Sequence, residues 1–145
     1  QLGSSACGQF ACGLSVRDAV ATAVEAVEMV EHGQRILAAE AARRPLEAYE
    51  RLDFLSSARS GSVPGHLLGL RLAERLRRLT SAQFRVPLPR LHLTEHFLAR
   101  QTPGPRPSEV HCDEAIFPNI HFSSVLWLGA AHLAFDGGEL QFHNG

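Results

Sequence analysis

The sequence predicts an α+β chain with its helices first and its strands after, either a plain two-layer arrangement or a β-barrel supported by helices. Three observations carry this. Valine and leucine recur at three- and four-residue spacing over the first half. From Phe84 onward Pro87 and Pro89 bar a helix and the apolar period falls toward two. Near the end, Asp136-Gly137-Gly138 supplies a hairpin turn before a last alternating run. The chain thus divides into a helical support over residues 1–83 and a sheet-forming core over 84–145.

Ser15, followed three residues later by Asp18, has the pattern of a helix N-cap with an acid in the first turn. Val16, Val20, Val24, Val27 and Val30 then mark an apolar helix face, opposite Arg17, Glu25, Glu28 and Glu31, with Gly33 as the expected stop. Gln34 to Leu55 continues in helix-forming Ala, Leu, Glu and Arg around Pro45. Ser56 to Gly65 is a Ser/Gly/Pro loop, and His66 to Thr80 returns to helical spacing through Leu67, Leu70, Leu72, Leu76 and Leu79. Arg71, Arg75, Arg77 and Arg78 on this stretch read as a solvated face, because Glu74 and Arg78 form a favourable i,i+4 pair.

Leu91, Leu93 and Phe97 alternate with His92, Thr94 and His96, which predicts a strand with both histidines on one face. Gln101 to Ser108 is a proline-rich loop leading into an extended stretch at His111. Ile120 to Leu128 is apolar and β-prone, and Glu139 to His143 alternates again. The glycines of the Asp136-Gly137-Gly138 turn permit the positive φ that the hairpin requires.

At 145 residues and 45% hydrophobic content the chain is sized for one globular domain. A net charge of −1 gives no general pull toward nucleic acid or anionic lipid, so neither is an expected partner. All the basic residues are arginine, a bias assigned to coding composition rather than to a site. No stretch reaches the roughly 20 apolar residues of a membrane span, and Gln1 to Leu14 lacks the pattern of a signal peptide, so this segment is expected to make no membrane contact itself. Cys7, Cys12 and Cys112 are too few for a disulfide scaffold; Cys7 and Cys12 are able to pair in an oxidising compartment, and the compartment stays open. The start at Gln1 and the end at Gly145, just past a strand-like run, read as those of a fragment.

Of the eight histidines, His32 and His66 border helices and are expected to be exposed, and solvent is also the favoured surrounding for His92 and His96. His132 and His143 lie at a turn and at the chain's end. His111-Cys112-Asp113 differs. A histidine and a carboxylate two apart on an extended chain point to the same side, where they can chelate one cation. Imidazole nitrogen with carboxylate oxygen suits Fe(II), and a second histidine would complete a 2-His-1-carboxylate face with three open positions.

The chain beyond this pair adds a pattern that is specific in combination: Ile120 to Leu128, ending in Leu126-Trp127-Leu128, then Phe135-Asp136-Gly137-Gly138-Glu139-Leu140. The whole pattern resembles the 2-oxoglutarate- and Fe(II)-dependent dioxygenases of the prolyl hydroxylase type. Within them it is most similar to the 2-oxoglutarate and iron-dependent oxygenase domain-containing protein 3 group, because the interval from Asp113 to His121 is short. Cys12-Gly13-Leu14-Ser15 before the first helix and Leu91-His92-Leu93-Thr94 agree with the likeness, which is strong from Leu91 onward and generic over Gln34 to Gly65.

The resemblance implies N-terminal helices packed on the first part of a double-stranded β-helix, or jelly-roll, truncated at the C-terminus, with iron held between its sheets. It implies His111 and Asp113 as metal ligands and Fe(II), 2-oxoglutarate and ascorbate as cofactors. It also implies O₂ and an unknown substrate as partners, with a peptide among the candidates. The reaction implied is hydroxylation of a C–H bond coupled to decarboxylation of 2-oxoglutarate to succinate. A secretory-pathway or membrane-anchored parent is implied by the likeness alone. The second iron-binding histidine and the basic residue that grips 2-oxoglutarate are expected beyond Gly145, since His143 comes too soon after the glycine turn. The 145-residue chain alone is therefore expected to bind iron weakly and not to turn over. Two other readings stand beside this one: a non-catalytic jelly-roll binding module with an incomplete metal site, and a hydrolytic zinc centre held by His111, Asp113 and His121.

Overall fold

The computed structural model describes residues 17, 19–53, 64–102 and 120–129. These residues form a mixed α+β arrangement of two helices and a two-stranded antiparallel sheet.

Helix α1 spans Ala23–Ala41. It starts at Thr22, later than the expected cap at Ser15, because Thr22 and Glu25 close a capping box: Glu25 N–H donates to Thr22 Oγ1 at 3.2 Å and Thr22 N–H donates to Glu25 Oε2 at 2.8 Å. Val20 is buried ahead of the helix. Gly33 does not stop α1; the helix runs through it and passes close to the sheet there. A Cβ on Gly33 would collide with Leu98 Cδ2 and lie 3.9 Å from Leu52 Cδ1.

The face that α1 buries is not the valine stripe. Val24 and Val27 are 67% and 57% exposed, whereas Met29, His32, Gly33 and Leu37 are buried at i, i+3, i+4 and i+8 spacing. Both stripes satisfy a helical period. The close approach allowed at Gly33 decides between them.

The helix expected to continue toward Leu55 ends instead at Ala41, where Arg43 and Arg44 N–H close onto Glu40 O at 2.8 and 2.9 Å before Pro45. Tyr49–Asp53 is then β1, paired antiparallel with β2, Phe97–Gln101, in the register Tyr49↔Gln101 to Asp53↔Phe97. Helix-forming composition yields here to pairing with a distant segment. One sheet face carries Glu50, Leu52 and Leu98, and its leucines meet Gly33 of α1. On the other face the Arg51 guanidinium stacks 3.9 Å from the Phe97 ring centroid and pairs with Glu95 at 3.4 Å. Buried Glu50 takes two hydrogen bonds from Arg44, at 2.9 and 2.7 Å, and one from Glu47 N–H at 2.6 Å. These bonds, the Arg44 pair foremost, hold its carboxyl down at about 2.

Helix α2 spans Pro64–Phe84. It ends in a Schellman geometry, with Arg85 at φ 55° and Val86 N–H donating to Ser81 O at 3.2 Å. A 3₁₀ turn, Leu88–Arg90, comes next and is tied back to α2 by Arg77, which donates to Leu88 O at 2.8 Å and Leu91 O at 3.0 Å. The strand expected from Leu91 begins only at Phe97; residues 91–96 have no ladder. His92 is exposed and His96 half-buried, so the two do not share a strand face.

The core is Met29, Leu68 and Leu72, with Ala21, Leu98, Leu126 and Leu128 packed against it. The expected strand Ile120–Leu128 has no ladder partner among the described residues. Its burial still alternates in part: Ile120, Phe122, Leu126 and Leu128 are half-buried, whereas His121, Val125 and Trp127 are exposed. Phe122 packs on Phe84 with centroids 5.2 Å apart. This apolar segment thus lies along the helical layer.

Candidate functional site

The sequence-derived metal pair, His111 and Asp113, lies outside the described residues, as do Asp136-Gly137-Gly138, Glu139, His132, His143 and the three cysteines. The structure does place the apolar segment that comes after the pair. Leu126 and Leu128 reach the α1–α2 core, and His121, the third donor of the zinc reading, is on the exposed side of the segment. Among the described residues no three His, Cys, Asp or Glu side chains gather closely enough to hold a metal ion. No helix among them is long and apolar enough to cross a membrane.

The described residues form one notable cavity, of about 320 Å³, between α2 and the chain after the 3₁₀ turn, lined by Leu70, Ala73, Leu91, His92 and Leu93 with Glu74 and Arg77. Its charged groups already have work. Glu74 accepts from Arg77 Nε at 2.7 Å and Arg78 Nε at 2.8 Å, and these two bonds, Arg77 first, lower its carboxyl to about 2. Arg77 also donates from Nη2 to Glu74 Oε1 at 3.2 Å and from Nη1 to Leu88 O and Leu91 O. The arrangement is a clasp for the 3₁₀ turn.

Arg75 and Arg78 of the arginine cluster are structural in the same sense. The expected Glu74–Arg78 pair is present. Arg75 does more than a solvated face requires: it binds Glu25 of α1 with two N–H groups at 2.9 and 2.8 Å and also donates to Val20 O. The first of these contacts lowers Glu25 to about 2.

Three histidines depart from expectation. His32 and His66 are 2% and 6% exposed, and their rings meet edge to face with centroids 5.0 Å apart at 80°. A Cβ on Gly65 would run into the His32 ring, so the start of α2 is pressed directly onto α1. His96 hydrogen-bonds the backbone of Gly69, one turn further along α2. In the sequence Gly65 reads as the end of the Ser/Gly/Pro loop, so its place in the first turn of α2, against His32, is set by the meeting of the two helices.

Compared with known proteins, the chain matches no family model, no curated protein and no solved structure.

Proposed function

We propose that the chain is part of an Fe(II)- and 2-oxoglutarate-dependent dioxygenase of the prolyl hydroxylase type, with a jelly-roll core braced by the helices of its first half. The observation that carries the reading is the ordered pattern from His111-x-Asp113 through Ile120–Leu128 to Asp136-Gly137-Gly138-Glu139-Leu140. The packing of Leu126 and Leu128 against Met29, Leu68 and Leu72 supports it, because a helix-braced sheet presents one apolar face to helices and keeps the other for its partner sheet.

His111 and Asp113 would hold the iron. One neutral imidazole nitrogen and one carboxylate oxygen form a borderline-to-hard donor set that suits Fe(II) and leaves adjacent positions for 2-oxoglutarate and O₂. When bound, the metal with its cosubstrate supplies the oxidising power for C–H hydroxylation, and ascorbate keeps it reduced. The chain's own work is placement. His111 must stay neutral and Asp113 ionised for both to ligate, so activity is expected to fall as acid protonates the histidine. A peptidyl residue is one of the substrates that fit the reading.

The test is succinate formation from 2-oxoglutarate by the full-length protein with Fe(II) and ascorbate. Replacing His111 or Asp113 by Ala is expected to lower it by at least about 100-fold, since even residues that merely orient ligands cost 10–100-fold. Wild-type turnover in either variant overturns the reading.

A further inference from the structure

The described histidines that are not candidate ligands are concentrated where α2 begins. His32 comes from the middle of α1, His66 from the first turn of α2, and His96 from the chain entering β2, where it bonds Gly69. The first two are buried, in ring contact, and packed so closely that Gly65 has no room for a methyl group. A proton added to His32 places a cation in a buried seam, against the ring of His66.

We propose that the His32–His66 contact is an acid-sensitive latch, which holds the start of α2 on α1 while the His32 ring is neutral and releases it when that ring is protonated.

The surroundings favour a neutral His32. On α1, Arg35 stands one turn beyond His32, its charge shared with Glu31 at 3.9 Å; on α2, the facing group is His66. From the sheet, Leu52 and Leu98 press on the neighbouring Gly33, and Asp53 acts on His96. Burial first, then the charges of His66 and Arg35, keep the His32 imidazole below its ordinary value of 6.5. The folded state therefore binds fewer protons than the unfolded state as pH falls through the ordinary histidine range, and the seam loses stability in that window. The far end of the α1–α2 contact, Glu25 with Arg75, is an ion pair that stays charged there, so opening is confined to the His32 end.

Amide hydrogen exchange of the full chain between pH 7 and 5, corrected for intrinsic rates, tests this. The opening equilibrium of amides over residues 29–37 and 65–72 is expected to rise about tenfold, while amides of β1 and β2 hold their protection. In His32→Phe, which keeps an aromatic ring against His66 but cannot be protonated, the rise is expected to disappear. A flat wild-type profile, an equal rise in β1 and β2, or an unchanged rise in His32→Phe would each overturn the latch. If His32→Phe does not fold, the wild-type profiles of seam and sheet decide alone.

Discussion

Helices α1 and α2 touch at two ends of one shared apolar layer, and the two ends use opposite chemistry. Glu25 pairs with Arg75 at one end and His32 meets His66 at the other, an order that makes the helices antiparallel. Between them lies Met29 with Leu68 and Leu72. The ionic end is partly wet, with the Arg75 side chain 41% exposed, and so tolerates charge; the imidazole end is dry and does not. The middle sets how strongly the helices adhere, and the ends set how that adhesion answers to pH. Acid reaches the histidine end first, below the ordinary histidine value, and the carboxylate end only below the ordinary glutamate value.

The largest break comes from removing the layer that both ends share. Met29 is 2% exposed and touches both core leucines, so Met29→Ala is expected to cost about 2–5 kcal/mol through lost transfer energy and the cavity left behind. Urea unfolding should show a lower midpoint with an unchanged slope. A midpoint within error of wild type would mean that the helices are held by their ends.

Next in size is a test of how tightly the dry end is packed, made by comparing two glycines. An alanine methyl at Gly65 meets the rigid His32 ring, and Gly65→Ala is expected to cost about 1–3 kcal/mol as overpacking. At Gly33 the obstacle is the end of the flexible Leu98 side chain, and replacing a mid-helix glycine by alanine returns about 1 kcal/mol of helix propensity. Gly33→Ala is therefore expected to be much the milder change in the same unfolding experiment. The reverse order would show that the sheet, rather than α2, sets the spacing around α1.

Much of this architecture is legible in the sequence, and the failures have physical causes. The helical spacing of α2 and the Glu74–Arg78 pair arise from local pattern, which is why they appear as expected. The buried face of α1 does not, because Val24-Val27 and Met29-His32-Gly33 are equally good stripes until Leu98 presses on Gly33. β1 was hidden because Tyr49–Asp53 is a strand only through β2, 44 or more residues away in the register of Asp53↔Phe97. The burial of His32 and His66 is a property of two helices meeting, which neither helix's sequence states alone. The candidate metal pair is legible as spacing, His111-x-Asp113, whereas the convergence of further donors on it belongs to tertiary structure; both residues lie outside the described ones.

The smallest expected effect sharpens the ionic end. Glu25 does two jobs, accepting from Thr22 N–H in the capping box and from Arg75 across the helices. Glu25→Gln keeps an acceptor suited to the capping box and removes only the charge, so the difference between variant and wild type isolates the ion pair. The Arg75 hydrogen bond foremost, with the Thr22 backbone bond, lowers the carboxyl from 4.5 to about 2. Because the folded-state value is depressed, the stabilisation is complete above the unfolded value near 4.5 and is lost as pH falls toward 2. Glu50 and Glu74 titrate in the same window, so wild-type acid unfolding alone does not single out Glu25. The gap in melting temperature between wild type and Glu25→Gln does: it is expected to be open at pH 6 and to close by pH 2. Added salt at pH 6 should narrow it as well, since a partly exposed pair is screened. A gap that ignores both acid and salt would assign the role of Glu25 to the cap, and the contact between α1 and α2 would then rest on its apolar layer and its histidine end.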